Sequence, residues 1–370
     1  MRRIFLLILA GWLLICPAAQ ASEALTVAAK GAVLIDGDSG RVLFAQNADE
    51  MLPEASCTKV MTALLALENC ALDEEVTAGK NAHGVPGTSI YLSEGETLTM
   101  EQMLYGLMLR SGNDAAVAIA EHVAGSVSAF AELANARAAE LNADSHFVNP
   151  HGLDADGHRT SALGLARIMR EALRHDDFRT ITGTKRKIIP WVGNEYSRVL
   201  ENKNRLLTTY EGATGGKTGF TSKAGRCLVF SAKRDELELI GVVLNCYTWF
   251  DTAAVMLDYG FDNFRMERAL EAGQEATRVS VLGGDQASVR AVAAGALSGA
   301  VEIGRKTSVE VDAAPLTAPV RAGQVIGSAR LVCGGETVDS CELVAADAVE
   351  AWSLATAIRS VLRNWALQFA

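Results

Sequence analysis

Short apolar segments bounded by turn residues recur along the chain. Residues 32–36 and 41–46 are two such segments on either side of the turn sequence at residues 37–40, which predicts a two-stranded hairpin. A stretch with the character of β-strands returns later, at residues 215–221, 227–233 and 237–245. We expect the last two of these segments to pair around a turn at residues 234–236.

Between the two groups of strand segments, apolar residues recur at the spacing of an α-helix. Val60, Leu64 and Leu67 fall on one helical face, which predicts a buried helix over residues 56–68. Ala- and Leu-rich segments predict further helices at residues 100–110, 113–124, 127–142, 162–174 and 250–259. This order of elements indicates an α+β fold for residues 22–262, with helices packed on an antiparallel sheet.

The pattern changes after residue 262. Short Val-rich segments separated by Gly-rich turns lie at residues 277–281, 288–293, 301–305, 308–311 and 324–331. Because no helical spacing separates them, they predict a small all-β domain, which we place at residues 263–348.

Residues 349–370 predict a terminal amphipathic helix. One face of this helix would hold Leu354, Ile358, Val361, Leu362, Trp365 and Phe369. Arg359 and Arg363 lie opposite, a pattern typical of a helix in a membrane interface and unsuited to a spanning helix. An ordinary helix that caps the preceding domain fits the same pattern equally well.

The first residues have the pattern of a secretory signal. Arg2 and Arg3 precede an apolar run at residues 4–16, and Ala19-Gln20-Ala21 is a small-x-small cleavage sequence. We therefore expect residues 1–21 to be a signal peptide and the protein to be exported. The alternative is an uncleaved N-terminal anchor, although the run is short for a spanning helix.

Composition excludes several classes of protein. The chain has 370 residues, is 49% hydrophobic and carries a formal net charge of −10, which excludes a disordered chain and a polytopic membrane protein. We expect no nucleic acid partner, because phosphate binding requires clustered Lys and Arg. The cysteines and histidines show no zinc-site spacing, so we predict no metal, and disulfide pairing stays open.

The strongest local pattern is S-x-x-K at residues 56–59, where a helix is predicted to begin. Positions i and i+3 share a helical face, so the Lys59 amine can approach the Ser56 hydroxyl. A serine hydroxyl is a weak nucleophile until a base takes its proton, and a desolvated lysine of lowered pKa can be that base. Alone the pattern is weak, because a capping serine and a solvated lysine recur at this spacing by chance.

Two further patterns strengthen this hypothesis. The S-x-N sequence at residues 111–113 lies between two predicted helices and can present a hydroxyl and a carboxamide, although a helix stop with an N-cap also fits. The K-T-G sequence at residues 217–219 lies in a predicted strand, where a cation and a hydroxyl can hold a substrate carboxylate. Gly219 would let the substrate backbone come close. Together the three patterns indicate acyl transfer.

In this order the patterns resemble the penicillin-binding, active-site-serine acyltransferases, and most closely the low-molecular-weight D-alanyl-D-alanine carboxypeptidases. The resemblance covers residues 24–262, and the β domain and amphipathic tail match the layout of the same family. It implies a β-lactamase/transpeptidase-like catalytic domain without a cofactor. The implied reaction removes the terminal D-alanine from peptidoglycan stem pentapeptides, and penicillin would acylate the same site.

The resemblance also implies a role for each residue of the first two patterns. Ser56 would attack the carbonyl of the penultimate D-alanine and form the acyl-ester. Lys59 would be the general base, Ser111 would relay protons, and Asn113 would position the peptide. Outside the site, attachment to the outer face of the cytoplasmic membrane through the C-terminal helix is implied.

The remaining implied roles lie on the K-T-G strand. Lys217, Thr218 and Gly219 would bind the substrate at its terminal carboxylate. The backbone N–H groups of Ser56 and Phe220 would form the oxyanion hole. Where relatives often have histidine or another aromatic residue after the glycine, Phe220 is expected to tune deacylation. Cys57 stands where a larger aliphatic residue is more usual, and we expect it to pack into the core.

Three alternatives compete with this interpretation. A serine β-lactamase would need a deacylating base in an E-x-x-L-N sequence, and the closest string, at residues 140–142, lacks that spacing. A non-catalytic binding module would not require the complete set of polar residues found here. A chymotrypsin-like protease would need a histidine before Ser39, and none precedes it. We expect His151 and His158 to stabilise the loop at residues 149–160.

Overall fold

The computed structural model describes residues 25–353 and Ile358. Up to residue 263 the strands are β1 Gly31–Asp36, β2 Val42–Gln46, β3 Glu75–Thr77, β4 Thr97–Thr99, β5 Ser145–His146, β6 Arg159–Thr160, β7 Arg186–Ile189, β8 Arg198–Glu201, β9 Ala213–Thr221, β10 Gly225–Arg234 and β11 Leu237–Leu244. The helices are α1 Lys59–Asn69, α2 Met100–Tyr105, α3 Asn113–Ala124, α4 Val127–Glu140, α5 Ala162–Ala172, α6 Asp176–Gly183, α7 Leu206–Thr209 and α8 Trp249–Asn263.

The centre of this first domain is an antiparallel sheet with strand order β2-β1-β11-β10-β9. Val33 and Ile35 pack in a core with α1, α3 and α5, whereas Ala32 and Leu34, on the opposite face, pack with α8. Both faces are therefore covered, and β1 is buried along its whole length. The expected α+β architecture, with helices on an antiparallel sheet, is confirmed.

The helical insertion also follows the sequence pattern, with one local difference. The predicted helix at 100–110 is an α-helix only to Tyr105, and Gly106–Arg110 forms a π-helical turn. The turn ends at Ser111, whose φ of 66° lies in the left-handed region. The predicted helix at 56–68 begins as the 3-10 turn Ala55–Thr58 before α1.

The second domain is all-β, as expected. Its strands are β12 Phe264–Leu270, β13 Glu275–Leu282, β14 Ser288–Ala293, β15 Leu297–Glu302, β16 Thr307–Asp312, β17 Leu316–Thr317, β18 Val325–Cys333 and β19 Glu336–Ala345. One sheet has the order β16-β18-β19-β14-β13-β17, and β12 pairs with β15. The predicted strand at 301–305 ends at Glu302, because the chain turns there, and β12 and β19 were absent from the prediction.

The terminal predictions fall largely outside the described residues. The signal peptide at residues 1–21 lies outside them entirely. In the predicted helix at 349–370, Val349 and Ala351 instead form β-bridges with Val320 and Gly284, so these first residues extend the β domain. In the part of the chain that the structure describes, no single helix is long and apolar enough to cross a membrane; α3 and α4 meet that test only as a pair bent by 81°.

The two domains are joined through the turn at residues 37–40. Asp36, at the end of β1, is fully buried and accepts hydrogen bonds from the Ser39 hydroxyl and, at 3.1 Å, from the backbone N–H of Ala300 in β15. Arg41 donates to the backbone carbonyl of Ala300 at 2.7 Å. Ser39 therefore belongs to a hairpin turn, as expected, and this turn holds the β domain.

This clamp predicts a specific loss of stability. Asp36→Ala would leave the Ser39 hydroxyl and the Ala300 N–H without their acceptor, so we expect the free energy of unfolding to fall by about 2 kcal/mol. Urea unfolding of the full chain measures it. Asp38→Ala, on the partly exposed side of the same turn, is the matched control. An equal loss in both variants would contradict a role for the buried carboxylate.

Candidate active site

The Ser56 side chain is presented by the 3-10 turn that precedes α1. Ala55, immediately before it, has a φ of 51°, in the left-handed region. The backbone of Gly152 packs against this bend so closely that a side chain would not fit: a Cβ added to Gly152 would lie 1.9 Å from the Ala55 carbonyl oxygen. Only glycine fits at that position, so the loop containing Gly152 is pressed directly against the turn that contains Ser56.

Lys59 lies one helical turn after Ser56 and is completely buried. Its Nζ lies 2.9 Å from Ser56 Oγ, 2.7 Å from Asn113 Oδ1 and 2.7 Å from the His151 carbonyl oxygen. Burial, together with the positive charge of Lys217, holds the pKa of Lys59 well below its usual value. A neutral amine has two N–H groups and one lone pair, which matches two carbonyl-type acceptors and the Ser56 hydroxyl.

The orientation of Asn113 is fixed from its other side. Asn113 Nδ2 donates to the Pro86 carbonyl oxygen at 2.6 Å, so Oδ1 faces Lys59. Ser111, two residues earlier, has its carbonyl oxygen held by the Thr88 hydroxyl at 2.6 Å. The loop between β3 and β4 therefore holds both residues of the S-x-N pattern in place.

Lys217 is the second buried lysine of the site, on strand β9. Its Nζ donates to Ser111 Oγ at 3.0 Å and to the Thr218 carbonyl oxygen at 2.7 Å. Burial is the largest cause that lowers the pKa of Lys217, to about 7. Near neutral pH this side chain therefore changes between its cationic and neutral forms.

Gly219 packs directly against the turn that contains Ser56. A Cβ added there would lie 2.5 Å from the Glu54 carbonyl oxygen and 3.1 Å from the Cys57 backbone nitrogen. From the sequence, Gly219 is expected to let the substrate backbone come close. In the structure, the nearest neighbour of Gly219 at this position is the protein's own backbone. Packing of β9 on the turn is thus a sufficient reason for glycine at this position.

The structure brings together the residues that the three sequence patterns predicted. Ser56, Lys59 and Asn113 form one connected group, and Lys217 with Ser111 forms a second beside it. Thr218 is nearly buried next to Lys217. Phe220, the next residue after Gly219 on β9, is 63% exposed and lies opposite Arg226 on β10. Its side chain therefore borders the site and is open to solvent.

Cys57 points away from the site, as expected. It is fully buried, and its thiol donates to the Lys217 carbonyl oxygen at 3.3 Å. Burial raises the pKa of Cys57 well above its usual value, so the thiol is not a competing nucleophile.

A buried cluster of polar side chains lies behind the Ser56 turn and could not be predicted from the sequence. Glu54 is fully buried, with Oε1 2.8 Å from Thr58 Oγ1 and 2.9 Å from His158 Nε2. The Val148 N–H donates to His158 Nδ1 at 3.0 Å, so the ring proton lies on Nε2 and faces the carboxylate. Thr58 and His158 are 100 residues apart, so no local sequence pattern indicates this contact.

The loop at residues 149–153 completes the wall of the site. The Asn149 side-chain oxygen accepts the N–H of Gly152 at 2.7 Å, and the Thr62 hydroxyl donates to the Pro150 carbonyl oxygen at 2.6 Å. Burial lowers the pKa of His151 to about 3, which keeps its ring neutral beside Lys59. His151 Nδ1 accepts the Leu153 N–H at 3.2 Å and His158 Nδ1 accepts the Val148 N–H at 3.0 Å, so both rings hold the backbone of this loop, in agreement with the expectation.

Two family models match the chain. The model for D-alanyl-D-alanine carboxypeptidases of the peptidase S11 type matches residues 18–248. The model for the C-terminal domain of penicillin-binding protein 5 matches residues 264–351. The two matches follow the division into an α+β domain and a β domain.

Individual relatives agree with the family models. D-alanyl-D-alanine carboxypeptidase DacF of Bacillus subtilis is 31% identical over 351 residues, covering 91% of this chain and 90% of the relative. DacC of Escherichia coli is 33% identical over 354 residues, covering 90% and 87%. The crystal structure of penicillin-binding protein 5 from Haemophilus influenzae superposes with a TM-score of 0.79 at 30% identity, covering 88% of this chain and 98% of that one.

Proposed function

This chain belongs to the D-alanyl-D-alanine carboxypeptidase family of serine peptidases, and we propose that Ser56 is its nucleophile, acting on stem peptides of peptidoglycan that end in D-Ala-D-Ala. The observation that supports this most strongly is the 2.9 Å contact between Ser56 Oγ and the buried amine of Lys59. A neutral lysine at that distance can take the hydroxyl proton as the oxygen attacks.

In the proposed acylation step, Ser56 Oγ forms a bond to the carbonyl carbon of the penultimate D-alanine while its proton moves to Lys59. The amide bond then breaks, and the leaving D-alanine amine receives a proton relayed through Ser111. The backbone N–H groups of Ser56 and Phe220 would stabilise the oxyanion. Packing of Gly219 on the turn supports this assignment, because it keeps β9 next to Ser56.

The proposed substrate carboxylate binds at Lys217, Thr218 and Gly219. Lys217 is held by Ser111 and the Thr218 carbonyl, and both contacts are with neutral oxygen atoms. A bound carboxylate would be the first full negative charge in contact with this lysine. Its binding would therefore favour the cationic form of Lys217.

Deacylation would return Ser56 to its free form. Water attacks the acyl-ester while its proton moves to Lys59; the ester bond then breaks, Lys59 returns the proton to Ser56 Oγ, and the peptide that has lost its last D-alanine leaves as the acid. Penicillin presents an amide and a carboxylate in a similar arrangement, so the same residues would form an acyl-ester with it. Because Phe220 borders the site and is exposed, we propose that it adjusts the rate of this second step.

A serine β-lactamase is the second candidate, and the structure gives it little support. Glu140, from the closest match to a deacylating E-x-x-L-N sequence, is at the C-terminal end of α4 and pairs with Arg137 at 3.1 Å. Arg137 also pairs with Glu68, near the C-terminal end of α1, whereas Lys59 is at the N-terminal end of that helix. Glu140 is thus placed away from Ser56.

An extracytoplasmic location agrees with relatives that act on the cell wall. We propose that residues 1–21 direct export and are removed, and that the helix predicted in residues 349–370 attaches the protein to the outer face of the cytoplasmic membrane. The amphipathic pattern of that segment supports attachment. The net charge of −10 supports it indirectly, since the acidic body would not be drawn to anionic lipid by charge.

The nucleophile can be tested with two substrates. We expect Ser56→Ala to abolish labelling by a fluorescent penicillin and to lower the release of D-alanine from a D-Ala-D-Ala peptide by on the order of 10⁴-fold or more, because no other hydroxyl replaces the lost one. Ser39→Ala is the matched control and should retain both activities. Full labelling of the Ser56→Ala protein would contradict the assignment.

The same measurements on the unmodified enzyme separate the alternatives. Labelling without release of D-alanine would indicate a binding module, and rapid turnover of penicillin would indicate a β-lactamase.

The pH dependence of acylation is a test of the two lysines. Lys59 acts as the neutral amine, so kcat/KM should rise as the pH rises through the lowered pKa of Lys59, which gives the acid limb of the profile. Lys217 acts as the cation, so kcat/KM should fall as the pH rises above about 7. Lys217→Met removes a charge that lowers the pKa of Lys59, and should move the acid limb of penicillin acylation to higher pH. Lys223→Met, at an exposed position, should leave the profile unchanged. An unmoved acid limb in Lys217→Met would contradict the coupling.

Membrane attachment predicts a clear difference after truncation. Deletion of residues 354–370 leaves the β-bridges of Val349 and Ala351 intact, so the β domain should keep its stability. We expect the truncated protein to move from the membrane pellet to the soluble fraction on centrifugation, because the apolar stripe is lost. A variant with a Gly/Ser segment of the same length is the control for chain length. Unchanged partition would contradict attachment by this segment.

A further inference from the structure

Helices α1 and α3 meet at both of their ends. At their N-terminal ends, Lys59 and Asn113 are in contact through a 2.7 Å hydrogen bond. At the other ends, Cys70 follows α1 and His122 lies in the last turn of α3. With a rise of 1.5 Å per residue, the far ends are about 15 Å from the active site.

Three side chains converge at these far ends. The His122 Nε2 lies 2.8 Å from Glu74 Oε1, and one potential ligand atom each from Cys70, Glu74 and His122 lies within 4.8 Å of the other two. Glu74 is brought there by the turn after α1, in which its N–H donates to the Ala71 carbonyl oxygen at 3.2 Å. Cys70 and His122 are half-buried, and Glu74 is exposed.

The chemistry of this set is that of a metal site. Thiolate sulfur, imidazole nitrogen and carboxylate oxygen are the three ligand types that bind Zn²⁺, at 2.0–2.3 Å. Ligands at those distances from one ion are about 3–4 Å apart, so the observed spacing needs only small side-chain rotations. A thiolate and a carboxylate together would neutralise a divalent cation.

We propose that Cys70, Glu74 and His122 form a zinc-type divalent metal site that fastens the outer ends of α1 and α3. Solvent on the Glu74 side would supply water as the fourth ligand. On binding, the Cys70 S–H bond breaks, the sulfur coordinates the ion, and the proton passes to solvent. The site is structural and independent of the proposed peptidase reaction, since it is at the opposite ends of the helices from Lys59 and Asn113.

This site could not be predicted from the sequence. Cys70 and Glu74 are four residues apart, but His122 is 48 residues beyond Glu74, on another helix. No zinc-site spacing was therefore visible, and the expectation from sequence was that the protein has no metal. The convergence arises because α1 and α3 run in the same direction and end at the same level.

The experiment uses the reduced full chain after treatment with EDTA. Added Co²⁺ should give one saturable site with the near-ultraviolet charge-transfer absorption of a cobalt–thiolate bond, and Zn²⁺ should displace it and raise the Tm by several degrees. Cys70→Ser should abolish the charge-transfer band, and His122→Asn should weaken binding at least tenfold. Cys341→Ser and His146→Asn are matched controls, since Cys341 is also a half-buried free thiol and His146 is exposed.

Penicillin labelling of each variant provides an independent check on folding. Variants that label normally but lose the cobalt spectrum would support the metal site whether or not the proposed carboxypeptidase reaction is correct. The proposal would be overturned if the reduced wild-type chain showed no saturable absorption, or if Cys70→Ser bound Co²⁺ as well as Cys341→Ser does. Binding lost in Cys341→Ser and retained in Cys70→Ser would likewise overturn it.

Discussion

Burial of two lysines side by side, without a carboxylate against either amine, is the constraint on which the site depends. Lys59 and Lys217 hydrogen-bond only to neutral oxygen atoms among the described residues. Burial lowers the pKa of both amines, and the positive charge of Lys217 lowers that of Lys59 further. A carboxylate placed between them would form two ion pairs and remove the free amine that acylation needs. Neutral hydroxyl, carboxamide and backbone carbonyl oxygens therefore supply the hydrogen-bond acceptors.

Much of the local architecture can be understood from that requirement. The His151 carbonyl oxygen accepts from Lys59, and the loop that presents it is pressed on the Ser56 turn at Gly152. The Thr218 carbonyl oxygen does the same for Lys217. Acceptors from the backbone cannot titrate, so these two carbonyl oxygens remain available to the lysine amines whatever the pH.

The sequence predicted the fold class and the principal residues because both depend on local patterns. The apolar run of β1 and the helical spacing of α1 are local patterns, and the S-x-x-K pattern places Ser56 and Lys59 on one helical turn. Strand β12 was not predicted, because it has three charged residues and no Val and so lacks the Val-rich pattern from which the strands of this domain were predicted. The predicted end of strand β15, at residue 305, was also wrong, because the turn after Glu302 has no strong sequence pattern.

Contacts between residues far apart along the chain could not be predicted from the sequence, for a different reason. The Glu54–His158 pair and the convergence of Cys70 with His122 join residues that are widely separated along the chain. Their proximity depends on how the helices cross the sheet, which no single segment encodes. In the same way, Gly219 could be recognised as necessary from its motif, but its contact with the Ser56 turn required the packed structure.

The clamp between the two domains has a consequence for how their sequences can diverge. Asp36 and Arg41 bind the main-chain N–H and carbonyl of Ala300, and its methyl side chain serves only as buried packing. Main-chain groups are the same in every residue type except proline. At this point of the interface the β domain can therefore accumulate substitutions without loss of the clamp, provided that a small residue remains at position 300. The side-chain pairs Arg268–Glu236 and Arg41–Glu336, which also join the two domains, do not share this tolerance.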